Sequence, residues 1–194
     1  MFLTSLKTNS NTKYYTQQAL YELILDVYRK NKNSFYSQIP SVSFTGGEPL
    51  LYADYLIDLL KILKKDKFSI YLETNGTLPE ELKKISAHCD IVAMDIKFKS
   101  ACKKDLFIQH KNFLNISKNK TFIKTVITPS TTKQEFMKAI QTVCDISKNI
   151  KFVIQPSDNT ENINKKVLEF YNLASSKLKD VRILPQMHKI WKIR

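Results

Sequence analysis

Six short apolar runs, each followed or preceded by an amphipathic stretch, constrain this chain more than any other feature. The runs lie at residues 42–45, 68–72, 91–94, 121–127, 151–154 and 181–184. Between them, apolar residues recur at helical spacing. Leu20, Leu23, Ile24, Val27 and Tyr28 form one such face after Thr16, a suitable N-cap; Tyr55, Leu56, Leu59, Leu60 and Leu63 form the next. Pro79 sits in the first turn of a third helix, and further helices are expected near 105–116, 133–147 and 161–176. Strands that alternate with helices pair in parallel through right-handed crossovers, because a two-residue turn cannot return the chain in the same direction. The expectation is an α/β domain of about six parallel strands covering residues 1–194, either a partial (β/α) barrel or an open doubly wound sheet.

In such a sheet the strand C-termini share one edge, and the unusual residues of this chain fall there. The sequence holds only 3 glycines in 194 residues, where ordinary usage gives about 14. Gly46 and Gly47 follow the first strand and Gly76 the second. Pro49, Pro79, Pro129, Pro156 and Pro185 lie on the same side, with Thr45, Glu48, Glu73, Asn75, Asp95, Lys97, Gln155, Asp158 and His188. Loops at this edge are where barrel and doubly wound enzymes build their sites. The polar set suits a zwitterionic ligand: Glu48 and backbone carbonyls for an ammonium, Lys97 for a carboxylate, Gln155 or Asp158 for ribose hydroxyls or an adenine edge. Each group also has a purely local reading. Glu48 can cap the next helix, Lys97 can pair with Asp95, and His88 and His110 read as solvated or structural. There is no Walker loop, dinucleotide fingerprint or nucleophile elbow.

The net charge of +13 and a pI near 9.5 raise a polyanion as partner. Yet all but three of the 31 basic residues are Lys; only Arg29, Arg182 and Arg194 carry the guanidinium favoured for bidentate phosphate contacts. The Lys residues are spread along the chain, so no specific nucleic-acid surface is expected. Cys89, Cys102 and Cys144 are odd in number and widely spaced, which fits free buried thiols in a reducing compartment rather than disulfides or a metal motif. The N-terminus has no apolar signal and no run approaches the length of a membrane span. A cytoplasmic protein without a membrane partner is expected.

Thr45-Gly46-Gly47-Glu48-Pro49 after a strand resembles the S-adenosylmethionine-binding turn of radical S-adenosylmethionine (SAM) enzymes. Leu72 to Thr77, Met94-Asp95-Ile96-Lys97, Gln155-Pro156-Ser157-Asp158 and the closing Leu184-Pro185-Gln186-Met187-His188-Lys189 together resemble the 7-carboxy-7-deazaguanine synthase family of deazapurine and queuosine biosynthesis. The resemblance covers residues 16–194. It implies a partial radical SAM barrel and cofactor contacts from Gly46, Gly47, Glu48, Asn75, Asp95, Ile96, Lys97, Gln155, Pro156, Ser157 and Asp158. It implies contact of Thr45, His188 and the terminal Arg194 with a pterin substrate. The reaction implied is ring contraction of 6-carboxy-5,6,7,8-tetrahydropterin to 7-carboxy-7-deazaguanine with loss of ammonia, driven by a [4Fe-4S] cluster that cleaves SAM, with Mg²⁺ and an electron donor such as flavodoxin.

One departure stands out. The family holds its cluster on a Cys-x3-Cys-x2-Cys loop after a strand that precedes the helix at Thr16, and this chain has no cysteine before Cys89. The cysteines present have the wrong spacing to replace it. The expectation is an N-terminally truncated copy, lacking the first strand and the cluster loop, with neither catalytic nor metal-ligating residues of its own and an exposed sheet edge that favours a homodimer. The rival readings are another radical enzyme, such as a glycyl-radical activase, and a catalytically dead scaffold that binds a nucleotide or RNA.

Overall fold

The computed structural model describes residues 15–31 and 40–186. Six strands follow one another across the sheet in the order β1-β2-β3-β4-β5-β6. They are β1 (Ser41–Phe44), β2 (Ser69–Thr74), β3 (Ile91–Asp95), β4 (Thr121–Ile127), β5 (Lys151–Pro156) and β6 (Val181–Ile183). The helices are α1 (Gln17–Asn31), α2 (Ala53–Lys65), α3 (Pro79–Ile85), α4 (Lys99–Cys102), α5 (Phe107–Ser117), α6 (Lys133–Ile146) and α7 (Glu161–Ser175). The sheet runs from β1 at one edge to β6 at the other and does not close among the described residues. Three short elements have no counterpart in the apolar pattern: α4 and the 3-10 turns over Pro49–Tyr52 and Ser86–His88.

The chain forms two compact units, one of Met1–Glu73 with Glu80–Ile91, the other of Thr74–Pro79 with Val92–Arg194. In the first, β1 and β2 pair in parallel, Val42 against Ile70 and Phe44 against Leu72. Thr16 caps α1 as its sequence suggests, accepting the Ala19 N–H at 3.2 Å. One face of α2 is buried through Ala53, Leu56, Leu59, Leu60 and Leu63, and Ile70 and Leu72 of β2 are buried as well. Tyr28 meets Phe68 edge-on at 5.5 Å between centroids. Asp90 accepts from the Ile70 N–H at 2.7 Å and from Lys64 at 2.8 Å, which fixes the entry to β3.

In the second unit β3, β4, β5 and β6 pair in parallel. Its core is aromatic. Phe136 of α6 stacks on Phe170 of α7 at 4.4 Å, meets Phe152 of β5 at 6.1 Å and lies 6.3 Å from Phe98. Thr132 and Glu135 form a reciprocal capping box at the start of α6. The Glu135 carboxylate also accepts from the Ser100 N–H and hydroxyl, tying α4 to α6. β5 buries Phe152, Val153 and Ile154 in succession, as a strand covered on both faces does. β4 instead alternates, burying Thr121, Ile123, Thr125 and Ile127 and leaving Phe122, Lys124 and Val126 half-buried on the other face.

Lys67 and Lys103 take left-handed backbone at φ 63 and φ 59, each just after a helix. Gly76 is also left-handed, at φ 69, and a Cβ there would come within 2.7 Å of the Met94 side chain. A side chain at Gly76 therefore meets both a disfavoured backbone and an occupied space. We expect Gly76→Ala to lower unfolding free energy by about 2–4 kcal/mol. Gly47→Ala, with nothing within 4 Å of its Cβ, should stay within about 0.5 kcal/mol of wild type. Urea titrations of the two variants check this; equal destabilisation would refute it.

Candidate functional site

In the first unit, β1 delivers the chain into Thr45, which is exposed and donates its hydroxyl to Glu73 at 3.4 Å. Gly46 follows at φ 129, a conformation side chains rarely adopt, and both Gly46 and Gly47 face open space. Glu48 is buried, only 9% exposed. Its Oε1 accepts the Leu50 N–H at 3.1 Å and so caps the 3-10 turn that leads into α2. The local reading of Glu48 is thus realised. Tyr71 and Glu73 lie half-buried on the face of β2 opposite Ile70 and Leu72. Burial, aided by Glu73, pushes the Tyr71 phenol up to about 12, so it stays a protonated donor at neutral pH.

In the second unit, the turn after β2 is shaped by its own side chains. Thr74 Oγ1 accepts the Gly76 N–H at 3.2 Å, and Asn75 Oδ1 accepts the Thr77 N–H at 3.0 Å and its hydroxyl at 2.6 Å. The Asn75 side-chain oxygen is therefore engaged in the turn. At the end of β3, Asp95 Oδ2 takes the Lys97 ammonium at 2.6 Å. The other oxygen, Oδ1, is buried with no hydrogen-bond partner. The Ile96 N–H donates to the Lys124 carbonyl at 2.9 Å and its carbonyl accepts from Thr125 Oγ1 at 3.0 Å, which continues the ladder past the strand end. Asp95 stands in register with Lys124. Partners in register share a sheet face, so a half-buried lysine lies on the face that carries Asp95. A lysine in mid-strand of a parallel sheet is the signal by which sequence reading could have found it.

At the end of β5, Gln155 is in register with Val126 and the Ser157 N–H donates to the Ile127 carbonyl at 2.9 Å. Ser157 Oγ donates to Asp158 Oδ2 at 3.0 Å, and Asp158 Oδ1 accepts the Thr160 N–H and hydroxyl at 2.9 and 2.7 Å. Asp158 so builds the turn that opens α7. Beyond β6, the side-chain oxygen of Gln186 is buried without a partner. His188 and Arg194 lie outside the described residues.

The family model of the radical SAM superfamily matches residues 10–163. The chain belongs to the radical SAM superfamily. It is 38% identical over 156 residues to a 7-carboxy-7-deazaguanine synthase of Geobacter sulfurreducens, covering 77% of this chain and 62% of that protein. A second synthase, from Archaeoglobus fulgidus, is 34% identical over 169 residues, 81% of this chain and 68% of the relative. A solved structure of TYW1 with a lysine-pyruvate adduct bound superposes with a TM-score of 0.60 at 16% identity over 91% of this chain and 68% of that one, a likeness of fold.

Radical SAM chemistry brings S-adenosylmethionine and a [4Fe-4S] cluster. The residues present do not fit the cluster. Among the described residues, which include all three cysteines, no group of three or more His, Cys, Asp or Glu can hold a metal. Cys89 is buried with its thiol toward the Ile85 carbonyl; Cys102 and Cys144 are half-buried, not buried as expected, and burial raises the Cys144 thiol. S-adenosylmethionine fits better. In the second unit Asp95 presents an unpartnered buried carboxylate oxygen beside a lysine, and in the first unit a glycine pair faces open space; each, taken by itself, is a feature that a zwitterionic ligand can use. Among the described residues no helix is long and apolar enough to cross a membrane.

His110 is a strongly perturbed imidazole. It is fully buried in α5, edge-on to Phe107 at 6.3 Å. Desolvation lowers its pKa to about 4, against smaller raising effects from the Asn75 carbonyl and Asp105. Asp105 is itself occupied by Lys138 at 2.7 Å. Unfolding returns the ring to a pKa near 6.5, so below that value the unfolded chain binds a proton the folded chain refuses. Stability contributed by neutral His110 is present above pH 6.5 and falls as pH drops toward 4. Between pH 7 and pH 5 the loss should be about 2 kcal/mol. Urea midpoints of wild type and His110→Gln at the two pH values check this; the variant should show a flatter dependence.

Proposed function

We propose that this chain binds S-adenosylmethionine at the C-terminal ends of its strands and is built on the plan of enzymes that form 7-carboxy-7-deazaguanine from a reduced carboxypterin, the reaction of the synthase relatives, but that residues 1–194 by themselves do not catalyse it, because their cysteines do not hold the cluster. The observation that carries the reading is Asp95. Its Oδ1 is buried without a partner while Oδ2 holds Lys97. A carboxylate oxygen desolvated in this way costs about 1–3 kcal/mol unless something donates to it, and a ribose hydroxyl or an ammonium would do so. In this reading Gly46, Gly47 and Glu48 receive the methionine ammonium through backbone carbonyls and the carboxylate. Asn75, Asp95 to Lys97, and Gln155, Pro156, Ser157 and Asp158 take the remaining carboxylate and nucleoside. Thr45 faces the pterin in this reading.

In the synthase relatives the bound cofactor would supply the hydrogen abstraction that starts such chemistry; the part of this chain's own residues would be to bind and orient S-adenosylmethionine. Residues 1–194 are read as one radical SAM-like domain of a cytoplasmic carbon–nitrogen lyase, with an electron donor of the flavodoxin kind and a homodimer as further proposals. Glu48 serves two ends here, since one oxygen shapes the 3-10 turn and a carboxylate has lone pairs to spare. The likeness to TYW1 at 16% identity supports the fold, and the synthase relatives, at up to 38% identity, support the family and the substrate class.

Two measurements test this. Equilibrium dialysis should show S-adenosylmethionine bound by the chain and Lys97→Ala weakening it by about tenfold or more, the equivalent of about 1.4 kcal/mol. Unchanged affinity would remove Lys97 from the site, and no binding by wild type would sink the cofactor reading. Anaerobic incubation of the 194-residue chain with iron and sulfide should give neither cluster absorbance nor 5′-deoxyadenosine, because the cysteines cannot converge. Appearance of both would contradict that.

A further inference from the structure

The buried imidazole of His110 has no role in the reaction proposed above, and its position is costly. The ring is fully buried, with Nδ1 lacking any hydrogen-bond partner. An unsatisfied buried nitrogen together with a desolvated base is retained where the other nitrogen does something a hydrocarbon cannot. Nε2 lies 3.1 Å from the Asn75 carbonyl oxygen. A carbonyl only accepts, so Nε2 carries the hydrogen and the bare lone pair is on Nδ1.

The turn that receives this bond is closed on itself by Thr74 and Asn75, as described above, and those bonds set its shape. They do not set where it sits. Contacts with the rest of its unit do that, among them Met94 beneath Gly76, where even a Cβ would find its methyl carbon 2.7 Å away, and His110 on the Asn75 carbonyl. Met94 is an unbranched, adaptable side chain that fills space without direction. The imidazole bond is directional, and α5 backs the ring with Phe107.

We propose that His110 is a positioning residue that fixes the Asn75-Gly76-Thr77 turn at the end of β2 in the place from which it meets the ligand. This rests on the assignment of Asn75 to the cofactor site. A ring with the wrong tautomer, or an apolar ring of the same size, would leave the turn correctly folded but loosely placed.

The test compares His110→Phe, which keeps the volume and removes the donor, with His110→Gln, whose amide nitrogen can stand where Nε2 does. Amide hydrogen exchange is followed residue by residue in the full chain, and S-adenosylmethionine binding is measured beside it. In His110→Phe the Gly76 and Thr77 amides should exchange about tenfold faster while β4 and β5 amides move by less than about threefold; His110→Gln should restore the turn to within about threefold. Cofactor affinity should fall about tenfold in the Phe variant and recover in the Gln variant. Unchanged turn amides in His110→Phe, or a uniform loss of protection across the chain, overturns the proposal. If wild type binds no S-adenosylmethionine, the function proposed above fails, and the exchange data still decide the positioning role by the same two criteria.

Discussion

A parallel ladder needs a connection long enough to carry the chain back to the start of the next strand, and in this protein helices fill that return after each of the first five strands. The consequence is a division of labour along each strand. Turns between helix and strand, such as 118–120 and 147–150, hold Lys, Asn and Ser with short local bonds, Ser147 Oγ accepting the Asn149 N–H at 3.2 Å among them, and none of the chain's glycines or prolines. Turns between strand and helix hold the glycines, the buried carboxylate of Glu48, the Asp95–Lys97 pair and the Asx-type turns at Asn75 and Asp158. The register of β3, β4 and β5 then decides which side chains share a face, and it sets Lys124 beside Asp95 without any special device.

The polar groups at these ends are held more tightly than loop residues usually are. Asn75 and Asp158 spend side-chain oxygens on the backbone two residues on, Thr125 braces the Ile96 carbonyl, and Glu48 holds the Leu50 amide. Groups arranged in advance lose little freedom when a ligand arrives. The surface behaves differently. Several lysines there pair with nearby acids, Lys30 with Asp26, Lys83 with Glu80, Lys165 with Glu161, all exposed and each worth little. That pattern matches a dispersed positive charge.

Most of the fold was legible because its signals are periodic. The apolar spacing from Leu20 to Tyr28 marks α1, Thr16 marks its start, and the run 121–127 coincides with β4. What escaped was aperiodic. The 3-10 turn at Pro49–Tyr52 and the single turn of α4 are too short to carry a period, and both are made by contacts, Glu48 with Leu50 and Ser100 with Glu135. For the site, the sequence marked Glu48, Asn75, Asp95 and Asp158 and offered the cap that Glu48 makes, but not that the Asn75 and Asp158 side chains are committed to turns of their own. It also left His110 undistinguished. A lone histidine on a helix looks the same whether it meets solvent or a carbonyl 35 residues away, and burial is a tertiary fact. Tyr71 and Lys124 hid in strands whose alternation reads as surface.

Lys67 and Lys103 show what this chain does when a turn merely needs left-handed backbone: it accepts a lysine and the strain. Gly47 has neither a positive φ nor a neighbour that would object to a side chain. Among the described residues nothing near Gly47 asks for glycine at that position, and a chain so sparing with glycine keeps it there all the same. On the function proposed above, the demand comes from outside the polypeptide, as a ligand surface pressed against the backbone at closer range than a methyl group allows. Gly47 would then be a negative imprint of that ligand, recorded in the one residue type that has nothing to put in its way.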